Sequence, residues 1–237
     1  MITAFGKQVP THWSEMVAPS RTALIVIDMQ NDCCSPAGAI ARAGGDVSRY
    51  AEIIPRIAAV AEASRAAGAM VIHCQMRMLP GGRSDSPAWL RLRMRMSRNF
   101  GSDDPASHQY MVSGTWGEDF VDELQPCHGD VVINKYRSSA MVGTELDLIL
   151  RSNGVQAVLV AGCTTEGCVE STVRDLGMHD YMPIVLEDCV ASDVPELHEA
   201  SMFVMGAYRA EMATSTEIVE YWRTGSAPDG AINGGAR

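Results

Sequence analysis

No apolar run in the sequence reaches the roughly 18 residues that a membrane-spanning helix needs, which argues against an integral membrane protein. The first residues, MITAFGKQVPTHW, lack the apolar core of a signal peptide, so a cytoplasmic location is expected. Basic residues are outnumbered, 19 against 29 acidic ones, and the formal net charge of −10 has the wrong sign for a nucleic-acid surface. A disulfide framework is missing too: the seven cysteines are odd in number and scattered over 237 residues. In a reducing compartment most of them would serve as small core residues. No segment repeats. What is present is enough apolar material, 46% of residues, for one sizeable core. The length suits a single α/β domain spanning 1–237.

Five strand-like runs punctuate the chain: TALIVI (22–27), AMVIH (69–73), VVIN (131–134), QAVLVA (156–161) and MPIVLE (182–187). Continuous apolar runs of this length are expected of strands covered on both faces. Helical periodicity fills Ser48 to Ala67, with Gly68 placed to end it. Further helices are predicted near Gly143 to Ser152, from Cys168, and from about Glu196. A Met- and Arg-rich stretch, from Met76 to about Gly117, has weak periodicity and is read as a long insertion. The tail, about 224–237, is Gly/Ala-rich and expected to be flexible. Strands alternating with helices imply parallel βαβ units with helices on both sheet faces.

In such folds ligands bind beyond the carboxyl ends of the strands. Three reactive side chains stand just past strand ends: Asp28 after TALIVI, Lys135 after VVIN, and Cys168 in the turn after QAVLVA. A thiol attacks as the thiolate, so it needs a base beside it or a lowered pKa. Asp28 is placed to take the thiol proton, and Lys135 to hold that carboxylate ionised. The small residues of GCTTEGC would let backbone N–H groups approach a developing oxyanion. Taken singly, each residue has a plainer reading: a turn-forming Asp, a solvated Lys, a core Cys. Their coincidence at one sheet edge favours amide hydrolysis through a thioester.

DMQND (28–32), NKYRSSAMVGTELDLIL (134–150) and GCTTEGCVESTVRD (162–175) resemble the three signature segments of the isochorismatase-like cysteine hydrolases, in order and spacing. The resemblance covers about residues 20–222. It implies a three-layer αβα fold with a six-stranded, mostly parallel sheet and helices on both faces. It also implies a catalytic Asp28–Lys135–Cys168 triad. A non-proline cis peptide between Cys163 and Thr164 would aim the Thr164 and Cys168 N–H groups at the oxyanion, leaving Cys163 structural. Gln30, Cys33, Tyr136 and Met141, neighbours of the triad in the matched segments, are implied substrate contacts.

Within that family the thiol at 168 points away from the vinyl-ether-cleaving isochorismatases. The segment HCQMRMLPGGRSDSPAW holds His73 without the Asp-x-His set of the metal-dependent nicotinamidases, so neither metal nor cofactor is implied. The insertion and the segment around GCTTEGCVESTVRD look most like the ureidoacrylate, biuret and N-carbamoylsarcosine hydrolases. Two departures stand out: Cys33 and Cys34 follow DMQND, and Met141 follows RSSA, where those enzymes commonly have phenylalanine. The arginines of RLRMRMSR (91–98) are read as a solvated or interface segment in preference to substrate ligands. The implied partner is a small ureido, carbamoyl or amide compound. Relatives commonly form homodimers or homotetramers, and the insertion and a methionine-rich surface hint at the same. Rival readings are a non-amide hydrolase and a non-catalytic binding protein of the same fold.

Overall fold

A computed structural model describes residues 1–96 and 109–226. Its strands are β1 (Ile2–Ala4), β2 (Lys7–Val9), β3 (Thr22–Ile27), β4 (Met70–Met76), β5 (Val131–Lys135), β6 (Ala157–Cys163), β7 (Met182–Ala191) and β8 (Glu211–Ala213). The helices are α1 (Asn31–Cys34), α2 (Ala39–Arg42), α3 (Ser48–Ala67), α4 (Pro87–Met96), α5 (Leu146–Ser152), α6 (Glu170–Met178), α7 (Pro195–Tyr208) and α8 (Ser215–Thr224). β1 and β2 form a separate hairpin. The other six strands make one sheet, ordered β5-β4-β3-β6-β7-β8, with every pairing parallel.

The chain winds outward from β3 through β4 to β5, then returns to β6 beside β3 and winds the other way. Right-handed crossovers in opposite directions put α3 and α6 on opposite faces of the sheet. The reversal between β3 and β6 is the switch point at which such sheets open a crevice. β3 and β6 are buried along their whole length, which is why both read as unbroken apolar runs. In α3 the buried residues Tyr50, Ile53, Ile57, Val60, Ala61 and Ser64 recur at three- and four-residue spacing, giving one face to the sheet. Gly68 ends that helix in the left-handed conformation, φ 84°, at no steric cost.

Several boundaries differ from the expectations. β4 runs to Met76, three residues beyond the apolar run, because the polar Gln75 is buried and bonded. Helix α5 starts at Leu146, and a π-helical turn, Thr165–Val169, precedes α6. The stretch read as irregular contains α4, and the sixth strand, β8, is only three residues long. Of the methionines expected at the surface, Met29, Met76, Met78, Met111 and Met205 lie in the core. Ser97, Arg98 and the rest of the insertion to residue 108 lie outside the described residues, as does the tail from 227. Among the described residues no helix is long and apolar enough to cross a membrane.

His73 is structural. It is 1% exposed, its Nε2 is 3.2 Å from Asp130 Oδ2, and its ring meets Phe120 edge-on. Burial depresses its pKa although Asp130 pulls the other way, so the folded imidazole is neutral. The unfolded chain takes up that proton near pH 6.5. This contribution is therefore full above about 6.5 and lost as the pH falls below it. His73→Gln should flatten the loss of stability between pH 7.5 and 5.5 in urea unfolding; an unchanged slope would show that other groups carry it.

Candidate functional site

Asp28, Lys135 and Cys168, from three different strand ends, meet at the sheet's carboxyl edge. Asp28 directly follows β3 with a positive φ of 53°. Its N–H donates to Cys74 O of β4 (2.9 Å), and its carbonyl accepts from Gln30 N (2.8 Å) and from Cys163 Sγ (3.3 Å). A left-handed aspartate is sterically uncommon, and here three hydrogen bonds to its main-chain atoms hold it. Lys135, the last residue of β5, reaches across the end of β4. Its Nζ lies 2.7 Å from Asp28 Oδ2, 3.1 Å from Cys168 Sγ and 3.3 Å from the Arg137 carbonyl. Lys135 is fully buried, Asp28 is 1% exposed and Cys168 8%.

Electrostatics follow from that burial. Burial pushes the Asp28 pKa up, with Lys135 only partly holding it down, which makes the carboxylate a stronger base than a surface one. Burial opposes the Lys135 charge, but Asp28 and the Cys168 sulfur outweigh it and raise the ammonium's pKa. The Cys168 thiol is raised by burial and by the Asp28 charge, with Lys135 opposing. Burial thus favours the neutral thiol at Cys168, and the Lys135 ammonium is what favours the ionised form of Asp28. Among the described residues Asp28 Oδ1 is sealed from solvent and has no hydrogen-bond partner, which leaves it open to accept a proton.

β6 delivers the thiol through a tight turn. The Cys163–Thr164 peptide is cis, as the resemblance implies, and Thr165–Val169 follows as the π turn. Thr165, fully buried, is hydrogen-bonded to His198 of α7 at 2.8 Å. Thr172 Oγ1 donates to Cys168 O (2.7 Å) and accepts from Ala140 N (3.0 Å), tying the thiol's turn to the loop after β5. Gly162 lets β6 approach β3. Its φ is +115°, and a Cβ there would lie 2.1 Å from Ile27 O and 2.6 Å from Ile27 N. Gly162→Ala should cost at least about 3 kcal/mol, positive-φ strain adding to a clash with backbone. An unchanged urea midpoint would mean the strands can part there.

The implied substrate contacts fall into two groups. Gln30 is fully buried and its amide is occupied: Nε2 donates to Met76 O (2.9 Å) and Glu118 O (2.7 Å), and Oε1 accepts from Met76 N (2.9 Å). It braces β4 and the 118 loop. Cys33 is 3% exposed and, with Cys34, lies within hydrogen-bonding reach of Cys163. Hydrogen bonding to Cys163 and burial push the Cys33 thiol well up. It packs as part of the core. Met141 also packs in the core, 9% exposed, whereas Tyr136 is half-buried next to Lys135.

Sequence reasoning missed the braces: Thr165 with His198, Thr172, and Glu118, which receives Arg77 Nε and Gly114 N (2.8 Å). Arg93, on α4, is buried against Asp85 and lies over the Tyr110 ring, whereas the segment was expected to be solvated or at an interface. Among the described residues no group of three or more His, Cys, Asp or Glu has a metal-holding arrangement.

A doubly wound parallel sheet with an acid, a lysine and a thiol converging at its switch point defines a class of α/β proteins built for nucleophilic chemistry. The chain belongs to the isochorismatase-domain family, which residues 22–217 match. It is 34% identical over 207 residues to the ureidoacrylate amidohydrolase RutB of Caulobacter segnis, covering 85% of this chain and 86% of that one. Among solved structures it resembles a cysteine hydrolase from Pseudomonas syringae pv. phaseolicola, with TM-score 0.72 and 26% identity over 89% of this chain and 96% of that one. It likewise resembles the N-carbamoylsarcosine amidase of Thermoplasma acidophilum, with TM-score 0.64 and 27% identity over 83% and 98%.

Proposed function

We propose that the protein is a cysteine-dependent amidohydrolase that cleaves a C–N bond of a small ureido, carbamoyl or amide compound. The observation that carries this reading is the Lys135 ammonium held 2.7 Å from Asp28 and 3.1 Å from the Cys168 thiol. Names borne by similar proteins, an amidohydrolase of ureidoacrylate and an amidase of N-carbamoylsarcosine, support the substrate class.

On this reading Cys168 Sγ attacks the substrate carbonyl as its proton passes to Asp28. The N–H groups of Thr164 and Cys168 receive the oxyanion of the tetrahedral intermediate. Asp28 returns the proton to the departing ammonia or amine, leaving a thioester on Cys168. Asp28 then takes a proton from water, whose oxygen attacks the thioester, and the thiol is restored. Lys135 stays charged throughout and keeps Asp28 ionised between the transfers. We infer also that the enzyme works without a metal, in the cytoplasm, as a homodimer or homotetramer; mass in solution checks the last.

The test is ammonia release from biuret, 3-ureidopropionate, other N-carbamoyl amino acids, nicotinamide, maleamate and simple aliphatic amides. Samples quenched during turnover would be examined by mass spectrometry. The expected result is release from at least one ureido or carbamoyl compound and an acyl adduct on Cys168. Turnover without any adduct, with Cys168→Ala still active, would reject the thioester route.

A further inference from the structure

We propose that Arg137 anchors a substrate carboxylate, so that the enzyme acts on ureido or carbamoyl acids in preference to neutral ureides; this rests on the amidohydrolase reading and narrows its substrate. Arg137 stands at the site through its main chain, since its carbonyl accepts from Lys135 Nζ (3.3 Å). Its guanidinium is half-buried and stacks over the Trp89 ring of α4, 5.0 Å from the centroid. Nη1 donates to Tyr136 O (2.6 Å) and Ser84 O (3.2 Å). Stacking and two carbonyls fix the plane of the fork before any ligand arrives.

Those contacts use Nη1 and leave the Nε/Nη2 edge open. Among the described residues neither donor of that edge has a hydrogen-bond partner, and neither is sealed from solvent. Three other arginines show what this edge takes. Arg65 offers Nε and Nη2 to Asp130 (2.9 and 2.7 Å), Arg174 to Glu170 (2.8 and 2.6 Å), and Arg223 to Glu220 (3.1 and 2.6 Å). In these three the two donors together meet a carboxylate, the group that matches the fork; carbonyls take only one of them, as with Arg83 Nε on Pro80 O (3.1 Å) and Arg151 Nη2 on His179 O (3.1 Å).

Neighbouring cations already have acids: Lys135 has Asp28, Arg77 has Glu118, and Arg93 has Asp85. Among the described residues no carboxylate lies within ion-pair distance of Arg137, in a chain of net charge −10. A partly desolvated guanidinium fixed in place without an acid is costly. An incoming substrate carboxylate offsets that cost, at a residue whose carbonyl already accepts from Lys135 of the triad, and a neutral amide offsets far less of it. The plainer role for Arg137, tethering the loop after β5 to the segment around Ser84, is satisfied by Nη1 and the stacking and does not need the open edge.

The probes are 3-ureidopropionate and its primary carboxamide, nearly the same shape and differing in charge. Binding is measured calorimetrically to the Cys168→Ala protein, alone and combined with Arg137→Gln or Arg137→Lys, so the result does not depend on turnover. The acid should bind the Cys168→Ala protein more tightly than the carboxamide, and Arg137→Gln should weaken the acid about 10- to 100-fold while weakening the carboxamide far less. Arg137→Lys, which keeps the charge and loses the fork, should fall between. In the enzyme with Cys168 intact, Arg137→Gln should lower kcat/KM for the acid chiefly by raising KM. Equal binding of the two probes, no binding of the acid, or an equal loss for both in Arg137→Gln would overturn the proposal and leave Arg137 a tether. If the acid binds through Arg137 and Cys168-dependent ammonia release is absent, the anchor stands and the amidohydrolase reading is what fails.

Discussion

Lys135→Met should destabilise the fold by about 3–5 kcal/mol at neutral pH, because it strands a buried carboxylate. Asp28 is 1% exposed and Lys135 Nζ, at 2.7 Å, is its charged partner. Methionine fills similar volume, so the loss reads electrostatics more than packing. The sign of the pH dependence follows from the direction in which Asp28 titrates. Burial already raises its folded pKa, and Lys135 is the main influence holding it down. Without the lysine the folded pKa climbs further above the unfolded value of about 3.9. The folded variant then binds a proton that the unfolded chain does not, so its stability falls as pH rises. The gap between Lys135→Met and the unsubstituted protein should accordingly be widest near pH 8 and narrow towards pH 5, by urea unfolding. Adding Asp28→Asn should restore most of the stability, since removal of both members of a buried ion pair is often close to neutral. It should restore no activity. A Lys135→Met protein as stable as its parent at pH 8 would mean that the pair is not closed in solution.

How far the sequence foretold this arrangement depended on what each element buries. β3 and β6 are covered on both faces, so their apolar runs marked them directly and placed Asp28 and Cys168 at their ends. Lys135 was legible because VVIN is also an apolar run, although β5 is an edge strand with Val132 exposed. β8 gave no such signal: three residues, only Ala213 fully buried, whose strand state comes from pairing with β7. Helix α4 was hidden because PAWLRLRMRM mixes apolar and basic residues, and the side that turns inward carries Arg93. A charge that is buried because Asp85 meets it cannot be told from a solvated one until the chain is folded. Gln30 is the same problem in a neutral residue, since its use is set by main chain 46 and 88 residues away. Cys33, an implied substrate contact, is buried in the core near Cys163, whose Sγ donates to the Asp28 carbonyl.

Cys168→Ala should remove ammonia release by at least about 10³-fold, with the fold intact, if the proposed thioester route is right. The residue sits in a buried position, yet its side chain is small and the turn around it is held by other atoms: Thr172 to the Cys168 carbonyl, Thr165 to His198. Loss of one sulfur from that setting should cost about 1 kcal/mol, within the ordinary range for single substitutions. Activity and stability therefore separate here, whereas in Lys135→Met they fall together. Cys168→Ser is the sharper variant. It keeps an oxygen nucleophile near Lys135, but a hydroxyl is far more reluctant than a thiol to surrender its proton to a carboxylate, and burial already works against the anion at this position. The serine variant should be nearly as inactive as the alanine one. Substantial turnover by Cys168→Ser alone would indicate that Asp28 is a stronger base than its position implies. Substantial turnover by both variants would move the chemistry to water activated directly by Asp28, with the thiol a bystander.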